Sequence, residues 1–146
     1  MFRMTASTVI RRPIEEVFAY FADGTNEPQY NSDFHSSERI TEGPIGQGTR
    51  FHQKGKRTDV IYEITSHDPP NHVTFRLLKA DIPVRVSGAH HFEAVPGGTR
   101  VTWIYDAEPF TPLFRVLAPL LRPVAERRNQ HHLNRARRVL EQQRHG

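Results

Sequence analysis

The sequence predicts an α+β fold in which one long C-terminal helix covers the apolar face of an antiparallel sheet. Three observations carry this expectation. A β-branched opening segment is followed at once by a short amphipathic helix pattern. The middle of the chain alternates apolar and polar residues with period two, as half-buried strands do. The last stretch carries an apolar stripe, and it is the only element long enough to cover the face that the strands leave apolar.

The first strand is read in "TASTVIRR" and must end at Pro13, because the residue before a proline is held extended. Proline then suits the first helical position, where its missing N–H would have had no partner. Ile14, Val17, Phe18 and Phe21 recur at helical spacing as one stripe, and Asp23-Gly24 stops the helix. "GPIGQGTRFHQKG" reads as a glycine-rich turn before a short strand around Phe51. "TDVIYEIT" places Val60, Tyr62 and Ile64 on one face, and "HVTFRLLK" does the same for Val73, Phe75 and Leu77, with "SHDPPNH" turning between them. "VRVSGAHHFEAV" sets Val84, Val86, Gly88, His90, Phe92 and Ala94 together, opposite Arg85, Ser87, His91 and Glu93.

Gly97-Gly98 is the pattern of a type I′ hairpin, in which both central residues take positive φ. Centred there, the hairpin would pair Ala94 with Val101, Phe92 with Trp103 and His90 with Tyr105. After "DAEPFTP", Leu113, Val116, Leu117, Leu120, Leu121 and Val124 form a broad helical stripe, continued by Leu133, Ala136, Val139 and Leu140. Pro119 and Pro123 each remove a helical hydrogen bond, so a kink or restart is expected there.

The 146 residues fit one domain spanning 1–146, with 36% hydrophobic and 10% aromatic content sufficient for a core. No apolar run is long enough to cross a bilayer and no secretory leader is evident, so a soluble, cytoplasmic protein is expected. The absence of cysteine excludes disulfides, thiolate nucleophiles and cysteine-based zinc sites. The net charge of +4 is concentrated late: Arg122, Arg127, Arg128, Arg135, Arg137, Arg138 and Arg144 face only Glu126 and Glu141. Such a helix can bind nucleic acid or an anionic membrane surface, although a solvated outer face is the ordinary reading.

His90 is the first candidate for chemistry. It lies on an otherwise apolar strand face near Tyr105, where an imidazole and a phenol can exchange protons, orient a ligand, or simply bond each other within the core. Tyr62, Phe75, Phe92, Trp103 and Tyr105 fall on inward faces, and buried Tyr and Trp need partners for their polar edges. No metal site is expected among the nine histidines, since no HExxH occurs and His131-His132 diverge on a helix. A GxSxG elbow and a phosphate loop are also missing. The sequence offers no dedicated carboxylate base on the inner face.

The whole chain resembles the START-like superfamily (SRPBCC), in its polyketide cyclase/dehydrase-like branch. The resemblance rests on "RPIEEVFAYFAD", "GPIGQGTRF", "VPGGTRVTW" and the arginine-rich terminal helix ending near "RVLEQ". It implies a helix-grip fold: a curved antiparallel sheet of about seven strands wrapped around the C-terminal helix, two short helices after the first strand, and a cavity between sheet and helix. "GTNEPQYN" would then form the second short helix or turn at the cavity rim, with Tyr30 lining the mouth or packing on the first helix. Leu117 and Leu121 would cover the cavity, in a segment that is either a mobile lid or a static kink.

The function implied is binding of a hydrophobic or aromatic, lipid- or polyketide-like molecule, without a cofactor. The alternative is a polyketide cyclase/aromatase or dehydratase working in the same cavity through His90 and Tyr105. The ligand-binding set expected is Tyr30, Tyr62, Phe75, His90, Phe92, Trp103, Tyr105, Leu117 and Leu121.

Overall fold

The computed structural model describes residues 2–143. Strand β1 (Phe2–Ile10) leads into helix α1 (Ile14–Ala22) and a 3-10 helix (Gly24–Gln29). Six strands follow: β2 (Ser36–Arg39), β3 (Arg50–Lys54), β4 (Asp59–Asp68), β5 (His72–Lys79), β6 (Val84–Val95) and β7 (Gly98–Pro109). Helix α2 (Pro112–Gln142) closes the chain. The seven strands form one curved antiparallel sheet in the order β1-β7-β6-β5-β4-β3-β2. Its inner face and α2 enclose the main core, which includes Ile10, Val17, Phe51, Ile64, Val101, Leu133, Ala136 and Leu140.

The β6–β7 turn differs from the expected one. Val95 pairs with Gly98, so Pro96 and Gly97 are the central residues, and of the two adjacent glycines only Gly97 has positive φ, +85°. Proline followed by a positive-φ glycine is the type II pattern. The pairs become Ala94 with Thr99, Phe92 with Val101, His90 with Trp103 and Gly88 with Tyr105. The partners move by two positions, so every side chain keeps its expected face. Strand β2 went unforeseen because "SSER" is polar on both faces and nearly all exposed, leaving no alternation to read.

Helix α2 runs without a break through Pro119 and Pro123, so the helix does not restart at either proline. Both prolines are exposed, so carbonyls that lose a partner there can be solvated. The stripe of Leu113, Val116, Leu117, Leu120, Leu121 and Val124 also does not cover the sheet, being 37–71% exposed. Phe114 and Ala125 instead pack beside the small cluster of Met4, Val84 and Ala107, and Ala118 is also buried. Ala118 and Ala125 are small enough to let the helix approach closely, and the bulkier aliphatics then point away.

Polar side chains of α2 reach the outer side of β1. Thr5 N–H donates to Glu126 Oε2 at 3.0 Å, and Arg11 N–H to Glu141 Oε2 at 2.9 Å. Between them the Gln130 amide bonds both backbone groups of Ser7, accepting from its N–H at 3.2 Å and donating to its carbonyl at 3.0 Å. The spacings agree: four helical residues rise about 6 Å, and two strand residues rise about 6.6 Å.

Of the late arginines, Arg122 pairs with Glu126 at 3.8 Å and Arg128 with Asp33, while Arg127, Arg135 and Arg138 are exposed. Arg144 lies outside the described residues. No described helix is long and apolar enough to cross a membrane.

Candidate functional site

Between the sheet and α2 lies a cavity of about 210 Å³. Strand alternation delivers most of its wall: Val60, Tyr62 and Ile64 from β4, Val73, Phe75 and Leu77 from β5, Val86 and His90 from β6, and Trp103 and Tyr105 from β7. Phe21 and Ala22 of α1 and Tyr30 after the 3-10 helix close one end. Gly88 makes room here, since a Cβ on it would lie 2.5 Å from Phe75 Cζ and 2.9 Å from Tyr105 Cδ1.

Of the residues singled out from the sequence, Tyr30, Tyr62, Phe75, His90, Trp103 and Tyr105 meet on this wall. Tyr30 satisfies both readings offered for it. It lines the cavity and also packs on Phe21 of the first helix, ring centroids 5.7 Å apart. Phe92 is buried on the same strand face but nearer the turn, packed against Phe18 at 5.3 Å and Phe21 at 5.9 Å, outside the cavity wall. Leu117 and Leu121 are exposed and absent from the wall, which corrects the expectation that they cover it and leaves no lid over the cavity in that segment.

His90 stacks on Trp103 with centroids 4.9 Å apart and planes at 15°. Its Nε2 lies 3.0 Å from the Tyr105 hydroxyl, reached diagonally because Tyr105 sits opposite Gly88. Burial pushes the imidazole pKa down to about 3, with a smaller push from the neighbouring His91. His132, also in the wall, is lowered to about 4 by burial, then by the charge of Arg128. Both rings are therefore neutral at pH 7. Among the described residues, three buried polar atoms on the wall residues have no hydrogen-bond partner: His90 Nδ1, His132 Nδ1 and Trp103 Nε1. Each such group costs about 1–3 kcal/mol while unsatisfied.

The residue that strand periodicity could not reveal is Glu27. It stands on the 3-10 helix and lines the cavity, so the inner surface does hold a carboxylate after all. Its Oε1 accepts from Gln53 Nε2 at 2.9 Å and its Oε2 from Asn31 Nδ2 at 3.3 Å. Gln53 is 2% exposed on β3, and a fully buried amide is tolerated only when bonded, so the contact with Glu27 and a second one to Ser37 Oγ at 3.3 Å account for it. Burial raises the Glu27 pKa, and the two amide bonds only partly oppose it.

A raised carboxyl pKa stabilises the fold below the unfolded value, and that contribution is lost as pH rises through the folded one. Between pH 4 and 8 the wild-type protein should therefore lose stability relative to Glu27→Gln. Thermal unfolding of both proteins across that range checks the sign, and parallel curves would contradict it.

A curved sheet gripping a helix around an apolar, aromatic-walled cavity is a fold built to hold hydrophobic small molecules. The chain belongs to the polyketide cyclase/dehydrase and lipid transport family, whose family model matches residues 1–141. Solved structures agree in fold. TTHA0849 from Thermus thermophilus superposes with a TM-score of 0.77 at 21% identity, covering 97% of this chain and 100% of that one. A START superfamily protein from Mycobacterium smegmatis gives 0.69 at 12%, covering 95% and 94%. The di-domain ARO/CYC StfQ from the steffimycin biosynthetic pathway gives 0.75 at 11%, covering 92% of this chain and 49% of that one. No curated protein sequence matches the chain.

Proposed function

We propose that the protein binds a small aromatic or hydrophobic molecule carrying polar substituents in the cavity between sheet and α2. The observation that carries this reading is a largely apolar space walled by the rings of Tyr30, Tyr62, Phe75, Trp103 and Tyr105, with His90, His132 and Glu27 as polar members of the same wall. Size narrows the ligand. An apolar cavity of about 150 Å³ accommodates benzene, so 210 Å³ suits one substituted ring, or a short branched chain, better than an extended polyketide or a two-chain lipid.

Cyclase or dehydratase chemistry is the second reading, supported by the His90–Tyr105 contact at 3.0 Å and by Glu27 in the same cavity. A base with a pKa near 3 abstracts protons poorly at pH 7, so in that reading His90 orients Tyr105 and the carboxylate of Glu27 takes the proton.

Trp103 is the sole tryptophan, so its fluorescence reports occupancy directly. Substituted benzenes and phenols should change its emission saturably and stabilise the protein against heat. Trp103→Phe should remove the optical signal and weaken the thermal shift, since it removes a ring of the cavity wall. A fragment panel of such molecules that neither shifts the melting temperature nor alters the fluorescence would sink the proposal.

A further inference from the structure

We propose that the cavity recognises an organic cation: an amine, amidine or quaternary ammonium group seated against Glu27, with its apolar body among the rings of Tyr30, Tyr62, Phe75 and Trp103. This rests on the ligand-binding reading above and names the charge that the ligand carries.

The first argument is charge balance. Both oxygens of Glu27 are held by neutral amides, Gln53 and Asn31, and among the described residues no arginine, lysine or histidine pairs with it. Several other carboxylates do have a cationic partner: Asp106 has Arg3 at 2.8 Å, Glu63 has Arg50 at 2.8 Å, and Asp59 has Lys79 at 3.1 Å. A buried carboxylate without a counter-ion is costly. The two histidines on the cavity wall are buried neutral, so neither supplies the charge.

The second argument is the surroundings. The phenols of Tyr30, Tyr62 and Tyr105 are held well above their ordinary range by burial first and by the charge of Glu27 next. The geometry agrees: Tyr30, Tyr62, Phe75, Trp103 and Tyr105 line the same cavity as Glu27. Ring faces attract cations by about 0.5–2 kcal/mol each, more when water is excluded. A carboxylate inside an aromatic enclosure supplies what an ammonium needs on leaving water. A neutral ligand of the same shape would leave the Glu27 charge unanswered.

The test uses two probes of matched shape, phenyltrimethylammonium and tert-butylbenzene, titrated against wild-type protein and Glu27→Gln by Trp103 fluorescence. Wild type should prefer the cation, and Glu27→Gln should reduce the cation-to-neutral affinity ratio at least tenfold while still binding the hydrocarbon. Retained hydrocarbon binding also shows that the variant is folded. If wild type prefers the hydrocarbon, or the ratio is unchanged by the substitution, the cation inference is overturned and the ligand-binding proposal stands. If neither probe binds wild type, both fall.

Discussion

Leu133→Ala should lower the unfolding free energy by about 3–5 kcal/mol, the upper part of the range for buried leucines. Leu120→Ala, thirteen residues earlier on the same helix, should change it by less than about 0.5 kcal/mol. Leu133 is 0% exposed and belongs to the core cluster with Ile10, Phe21, Val101 and Trp103, while Leu120 is 71% exposed. Deleting the same atoms therefore opens a cavity in one case and removes surface in the other. Ala136 and Leu140, at 0% and 1% exposure, cannot move in to fill the space, because they are already packed. Urea unfolding of the two variants decides the matter. Comparable losses would mean that the N-terminal half of α2 shares in holding the helix down, contrary to the packing described.

Acidification from pH 8 to pH 5 should cost about 2 kcal/mol through His90 alone, approaching 4 kcal/mol near pH 3.5. The folded-state pKa is about 3 against 6.5 for an unperturbed histidine. A depressed histidine pKa means that the unfolded chain takes up the proton first. Stability is thus full above pH 6.5 and falls as pH drops below it. Among the described residues no carboxylate pairs with the ring to hold its charge: Phe21, Phe75, Trp103 and Tyr105 surround it. His132 contributes in the same direction, since burial lowers it too. The salt-bridged carboxylates Asp59, Glu63 and Asp106 have lowered pKa values and lose their contribution only at lower pH. Chemical denaturation of wild type and His90→Phe between pH 6.5 and 4.5 isolates the effect. The variant should show a markedly flatter profile, and an equal slope would show that His90 is not the responsible group.

Much of the fold was legible because its main signals are local. The alternation in "TDVIYEIT" and "VRVSGAHHFEAV" fixes which residues face inward, and those faces survive even though the hairpin turn is centred one residue earlier than its adjacent glycines suggest. The inward positions of Tyr62, Phe75 and His90 follow from alternation along their own strands, and those of Trp103 and Tyr105 from the hairpin register, whose two-position shift keeps the same face inward. Glu27 stayed hidden because a six-residue 3-10 helix is too short to show a period, and its meaning depends on Gln53, twenty-six residues away. The stripe on α2 misled for a different reason. Helical periodicity shows that Leu113 through Val124 share a side, but not which side meets the sheet. Phe114, Ala118 and Ala125 form a second, narrower apolar face, and close approach selected it.

The bonds from Glu126, Gln130 and Glu141 to β1 have a consequence for the solution behaviour of the chain. An open outermost strand invites another molecule to add to the sheet, and this is a common route to aggregation. Here a helix occupies that position without being a strand, and Gln130 imitates the neighbouring peptide by engaging both the N–H and the carbonyl of Ser7. The opposite border of the sheet is β2, four residues long and polar. One border is thus occupied by side chains and the other is too short and too hydrophilic to recruit a partner, so neither side of this seven-stranded sheet serves as a template for growth.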